Sequence, residues 1–211
     1  MPRLPPGRHG LPRDFVERNQ RDRLTAGIIS AVAEHGYNDS TITQIVEAAG
    51  LSRRTFYTYF SSKEECYLAT WDLIADHLRA AATEAAAVVD DWPDKVRARL
   101  GAVLGVYAEN PDLARFMLIV PVRAGDAVAD RYRLEMARVL ADISDGMPQG
   151  KDTPSEAVGQ AIVGGVVSLI ARNVEAGEGD DLLSLLPDLL ELVLAPYVGR
   201  EEAVQLARGA S

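Results

Sequence analysis

The nine residues Ser52 to Phe60, SRRTFYTYF, carry the side chains best suited to meeting a nucleic-acid duplex. Wound as a helix at about 100° per residue, they place Phe56 and Phe60 one turn apart on a shared face, where they anchor a core. Arg53, Arg54, Tyr57 and Thr58 fall within an arc of about 140° on another side, with Thr55 and Tyr59 flanking it. Guanidiniums fork onto guanine O6 and N7, hydroxyls reach phosphate or a base edge, and rings lie along the sugar-phosphate wall. The helix macrodipole disfavours arginine at an N-terminus, so two of them there ask for an anionic partner. Arg53 and Arg54 are the expected base readers. Thr41, Thr43, Gln44, Ser52, Tyr57, Tyr59 and Lys63 are expected to position the backbone. A solvated surface helix with two core rings is the bland alternative, and what precedes the segment weighs against it.

A first helix is predicted from Asp14, with Leu24, Ile28, Ala31 and Val32 at helical spacing and His35-Gly36 as its stop. Thr41 with Gln44 three residues on forms a capping-box pattern; Ile42, Ile45, Val46 and Ala49 supply a buried face, and Gly50 ends a short second helix. Ser52 caps the third. Two short helices joined by a glycine-containing turn have helix-turn-helix spacing. The expected organisation is an arm over 1–13, a DNA-binding domain over 14–62 and a helical ligand-binding and dimerisation domain over 63–211. Helices are predicted at 63–89, 94–109, 112–121, 126–146, 154–176 and 181–198, with Pro187 kinking the last or marking its true start. No segment alternates with period two, so the fold class is all-α.

Charge is divided along the chain. The 211 residues carry a net −9, but residues 1–63 hold nine Lys/Arg against six Asp/Glu, leaving thirteen against twenty-five in the remainder. A basic module that meets phosphate is thus joined to an acidic body. One cysteine, Cys66, excludes an internal disulfide framework, and three scattered histidines give no zinc set, so neither metal nor cofactor is expected. The longest charge-free run, 157–171, is shorter than a bilayer span, and no apolar segment follows the N-terminal arginines before Leu24. A cytoplasmic protein without membrane contact is expected. Nucleophile-elbow, Walker, dinucleotide-binding and zincin motifs are absent, His77 lacks an aligned acid, and Glu64-Glu65 would raise the Cys66 pKa. No enzyme is expected. The competing readings are a helical protein-interaction module that does not bind DNA and a helix-bundle enzyme.

The stretch from Gly36 to Tyr67, GYNDSTITQIVEAAGLSRRTFYTYFSSKEECY, resembles the N-terminal domain of TetR/AcrR-type transcriptional regulators. Gly36-Tyr37, Thr41, Ile45, Ala49-Gly50, Ser52, Thr55-Phe56-Tyr57, Tyr59-Phe60 and Lys63-Glu64 carry the likeness. By position it implies that Thr43 reads a base, that Arg53, Arg54 and Thr55 lie on the recognition helix, and that Tyr57, Tyr59 and Lys63 meet phosphate. Ile42 departs from the hydroxyl often found there.

In the body, the helix at 154–176 is apolar on two sides, Val158, Ile162, Val166 and Leu169 on one and Val163, Val167, Ile170 and Val174 on the other. Such a helix needs a second body to cover it. With the last helix it predicts a four-helix interface across a two-fold axis, through Val163, Val167, Ile170, Val174, Leu190 and Leu194. A homodimer suits an inverted-repeat operator in double-stranded DNA. The resemblance implies a repressor released by an unidentified small-molecule effector in a pocket among the middle helices. Trp71, Tyr107, Phe116, Met117, Tyr132 and Met136 are candidate lining residues, and Arg115, Arg123 and His77 candidate partners for a polar ligand.

Overall fold

A computed structural model describes residues 12–121, 125–145, 147 and 154–209. The expected arm, Arg123 and the break at 146–148 fall largely or wholly outside them. The described residues form helices and connecting turns, without a strand. The head comprises α1 (Arg13–Asp39), α2 (Ile42–Ala49) and α3 (Arg53–Tyr59), followed by α4 (Lys63–Ala86). Gly36 interrupts α1 at φ 77°, where the sequence places its stop, and Gly50 takes φ 61° at the end of α2. Both conformations are cheap only for glycine.

α1 and α2 approach so closely at Gly27 that an added Cβ would lie 2.5 Å from the Ile45 carbonyl oxygen and 2.9 Å from the Ala49 Cβ. This contact is invisible to hydrophobic periodicity. Arg23 then reaches across from α1, donating from Nε to the Ala49 carbonyl at 2.9 Å and from Nη2 to the Gly50 carbonyl at 2.6 Å. It thereby satisfies carbonyls that a helix end leaves without partners. Leu24, Ile28, Ile45 and Phe56 are fully buried beneath these elements, and the same core continues into the body through Cys66, Tyr67 and Trp71 of α4.

The body continues with α5 (Trp92–Glu109), α6 (Pro111–Ala114), α7 (Asp126–Ser144), α8 (Glu156–Glu175), α9 (Leu186–Val198) and α10 (Arg200–Ala207). Three expectations need correction. The segment 112–121 is not one α-helix: α6 passes into a π-turn over Arg115–Ile119. The helix expected at 181–198 begins as a 3₁₀ stretch over Gly179–Leu185; of the two roles expected for Pro187 it takes the second, marking the true start of α9 in a first turn where its missing N–H costs nothing. α10 was not expected at all. Gly199 reads as a final stop, yet Ala203 and Ala207 pack into a second core with Trp92, Val96, Ile162, Val163, Leu190 and Leu194.

The residues expected at a dimer interface pack as follows within the single chain. Val163, Ile170 and Val174 are buried within the single chain, Leu190 and Leu194 are fully so, and Val167 packs against the first core. Within the single chain they hold α8 and α9 to their own body, with Val167 only partly buried. The face of α8 that looks outward is instead Ala157, Ala161, Gly164 and Ser168, all exposed. α8 is, moreover, long and apolar enough to cross a membrane by length and composition, and only 28% of that stretch is buried. The charge-free run underestimates it because the charges at its ends do not lower its mean hydropathy far enough.

Candidate nucleic-acid interface

The recognition helix owes its position to hydroxyl caps. Thr41 accepts from the Gln44 backbone N–H at 3.3 Å while the Gln44 Oε1 accepts from the Thr41 N–H at 2.8 Å, completing the predicted capping box. Ser52 accepts from the Thr55 N–H at 3.0 Å and shares a 2.9 Å hydrogen bond with the Thr55 hydroxyl. These bonds satisfy N–H groups that a helix start leaves open, each contributing about 1 kcal/mol. Phe56 is fully buried, and Phe60, 5.8 Å away between ring centroids, closes the far end.

With the rings facing in, the rest faces out. Thr41, Thr43, Ser52, Arg53, Arg54, Tyr57 and Thr58 are exposed, with Gln44 and Thr55 partly so. Tyr57 is 50% exposed, which leaves its ring open to a sugar-phosphate wall. Arg53 donates to the Thr43 hydroxyl at 3.4 Å, bringing α2 and α3 side chains together. Thr58 donates to the Arg54 carbonyl at 3.1 Å. Among the described residues the Arg54 guanidinium has no hydrogen-bond or ion-pair partner, which leaves its fork free to meet a base edge.

Two residues expected at phosphate are occupied elsewhere. The Lys63 ammonium donates to the carbonyls of Tyr37 and Ser40, at 2.5 and 2.8 Å, and sits 4.5 Å from the Tyr37 ring centroid. Burial pushes its pKa below the usual lysine value. It ties the start of α4 to the α1–α2 corner. Tyr59, half-buried, donates to Gln20 Oε1 at 2.7 Å and carries Arg21 over its ring at 5.1 Å. Gly27 and Arg23, which set the head's internal angle, escaped the sequence reading. Only the i,i+4 crowding of small residues around Gly27 hints at the first, and nothing local hints at the second.

An exposed cationic face on the second helix of a capped helix-turn-helix defines a DNA-binding domain. The head belongs to the tetR family of bacterial regulatory proteins, whose model matches residues 25–70. Among its relatives, the HTH-type transcriptional activator FasR of Mycolicibacterium smegmatis is 30% identical over 135 residues, covering 57% of this chain and 60% of that protein. The chain thus spans less than two thirds of that activator's length. The HTH-type transcriptional repressor AcnR of Corynebacterium glutamicum is 27% identical over 195 residues, covering 92% of this chain and 85% of the repressor. The structure of the transcriptional regulator FadR from Bacillus subtilis, solved in complex with stearoyl-CoA, superposes with a TM-score of 0.70 at 16% identity, over 84% of this chain and 98% of that one. It shares the fold. These relatives are regulators and not enzymes.

The body holds a cavity of about 160 Å³, walled by side chains of α4, α5, the π-turn, α7 and α8. Of the six expected lining residues, Trp71, Tyr107, Met117 and Met136 border it. Phe116 and Tyr132 do not: Phe116 is fully buried and stacks on Tyr67, and Tyr132 packs against the first core. Arg79, Glu135 and Asp142 border both this cavity and a charged cleft beside it. There Arg79 donates to both Glu135 oxygens at 2.8 and 2.9 Å and to Asp76 at 2.7 Å, while Arg131 makes a paired contact with Asp72. Burial raises the Asp142 pKa. His77 is exposed, and Arg115 donates to the Val174 carbonyl at 3.5 Å, so neither borders the cavity. Burial pushes the Cys66 thiol up to about 12, which leaves it unreactive.

Proposed function

We propose that the protein is a homodimeric repressor that holds an inverted-repeat operator through paired α3 helices and releases it when an effector enters the cavity. The observation that carries the DNA half of this reading is the exposed Arg53–Arg54–Tyr57–Thr58 face, whose Arg54 guanidinium is uncommitted among the described residues. Repression is the role of AcnR, a relative aligned over 92% of this chain.

A dimer is supported by α8. Its outward stripe of Ala157, Ala161, Gly164 and Ser168 permits close helix approach, and the helix is apolar for one so little buried. An effector is supported by the cavity, whose size is that of a benzene-binding hole of roughly 150 Å³. An amphiphile suits it, with a compact apolar group among Trp71, Leu104, Tyr107 and Met117 and a polar end beside Arg79, Glu135 and Asp142. FadR, with its stearoyl-CoA, offers a precedent for such chemistry in this fold.

Selection of bound sequences from random duplexes is the deciding experiment. An enriched palindrome, with affinity falling steeply between low and moderate salt, is expected. Failure to retain any duplex in dilute buffer would remove the DNA reading. For the dimer, Gly164→Arg is expected to give monomers by sedimentation, while a persistent dimer would place the contact elsewhere.

A further inference from the structure

We infer that the effector carries an uncharged hydrogen-bond acceptor on its apolar part, a ketone, ester or amide oxygen, and that the indole N–H of Trp71 on α4 selects it. This deepens the effector reading above and rests on it. Trp71 is 2% exposed and borders the cavity. Its Nε1 is sealed from the surface and has no hydrogen-bond acceptor among the described residues. The other tryptophan, Trp92, is buried as deeply at 3% exposed, yet its Nε1 donates to the Ile143 carbonyl at 2.8 Å. The fold satisfies one indole and leaves the other open.

An open donor of this kind is costly, because it has given up water and gained no partner. Buried indoles ordinarily find one. A trapped water is a poor remedy, since it needs two or more polar partners of its own and the cavity wall is chiefly aliphatic. The cavity is the empty space that the ring borders, so an occupant can bring the acceptor that the fold lacks.

The charges beside the cavity decide what kind of acceptor it is. Arg79 is held by Asp76 and Glu135, Arg138 by Glu135, Arg131 by Asp72, and Arg99 by Asp145 and the Asp142 carbonyl. Among the described residues no guanidinium at the cavity or its cleft is left over for an anion, and Glu135 and Asp142 would repel one. A carboxylate entering an apolar hole would also lose its water at far greater cost than a neutral oxygen. A site with a buried group to satisfy discriminates sharply against analogues that lack the match. The rival donor is Tyr107, 3% exposed on the same wall, whose hydroxyl makes no hydrogen bond among the described residues.

Three small probes test the assignment. Acetophenone and α-methylstyrene share a phenyl ring and differ by a carbonyl oxygen against a methylene, and benzoate adds a charge. Each is titrated into the isotope-labelled full chain while the indole N–H signals of Trp71 and Trp92 are followed by NMR, the Trp71 signal being the one lost in Trp71→Phe. Acetophenone is expected to move the Trp71 proton downfield and leave Trp92 in place, and α-methylstyrene to bind without that shift. In Trp71→Phe the ratio of the two dissociation constants is expected to turn about fivefold against acetophenone, whereas lost packing alone would weaken both probes alike. Where that variant does not fold, Trp92→Phe gives the assignment and the shift in the wild-type chain decides. Benzoate is expected to bind at least about tenfold more weakly than acetophenone. Bound acetophenone with the Trp71 signal unmoved, or an unchanged ratio, overturns the assignment, favours Tyr107 and leaves the effector reading standing. Benzoate binding as tightly as acetophenone overturns the uncharged class. Failure of all three probes to bind overturns the effector reading, and this inference with it.

Discussion

The head and the body hold their functional side chains in opposite ways. In the head, caps written into short sequence patterns, Thr41 with Gln44 and Ser52 with Thr55, fix the helices and leave Arg53, Arg54, Tyr57 and Thr58 outside. In the body, the polar groups beside the cavity are held by side chains from distant helices, Arg79 by Glu135 and Arg131 by Asp72, 56 and 59 residues apart. A surface built on local bonds is legible residue by residue. A cavity built on packing is visible only once the helices are assembled.

The largest effect that tests this contrast concerns two glycines. Gly27→Ala forces a methyl to 2.5 Å from a backbone carbonyl that cannot rotate away. Overpacking of this kind costs about 1–3 kcal/mol, against roughly 0.5–1 kcal/mol gained by replacing glycine within a helix. A net loss of stability together with loss of operator binding is expected, measured by denaturant unfolding and anisotropy. Gly105→Ala, where an added Cβ meets nothing within 4 Å, is the matched control in the body. It should gain the helical term alone. Equal behaviour of the two would mean that the α1–α2 contact does not govern the head.

Next in size is Arg54→Ala, which should cost about 1–3 kcal/mol on the cognate duplex and relax preference at one base pair. Lys63→Ala sharpens the comparison. A phosphate contact would reduce the salt slope by roughly one. A Lys63 that instead closes the α1–α2 corner through the Tyr37 and Ser40 carbonyls should lower stability and leave that slope unchanged. The same salt titration on Arg54→Ala and Lys63→Ala separates reader from brace.

These contrasts explain what the sequence could and could not disclose. Three-helix spacing, both caps and both glycine stops were legible because each depends on residues within four positions of one another. The stripe of α8 that faces out was not. Val163, Ile170 and Val174 form as good an apolar stripe as any, but the helix has apolar residues on more than one side, and periodicity does not say which side its own body will cover. Leu190 and Leu194 pose the same problem, because α10 and the second core lie over that side of α9. α10 itself is eight residues behind a glycine, too short to show a period. The π-turn was hidden for a different reason: it differs from an α-turn by one residue of register, and that register is decided by what Phe116, Met117 and Leu118 pack against.

The smallest effects compare one cap with one ion pair. Thr41→Ala removes an acceptor from an otherwise open N–H and should cost about 1 kcal/mol. Asp72→Asn loosens a pair with Arg131 whose two contacts measure 2.6 and 2.5 Å, and on distance alone it looks the stronger interaction. Its side chains are 41% and 38% exposed, however, so water screens their attraction, and ordering two long side chains offsets part of the remainder. A loss below about 1 kcal/mol is therefore expected, shrinking further as salt is raised, whereas the Thr41 cap joins neutral groups and should be insensitive to salt. Unfolding measured at two ionic strengths for both variants decides the point. If Asp72→Asn cost the more, and kept its cost in salt, the α4–α7 pairing would be part of the body's framework rather than a screened latch beside the cavity.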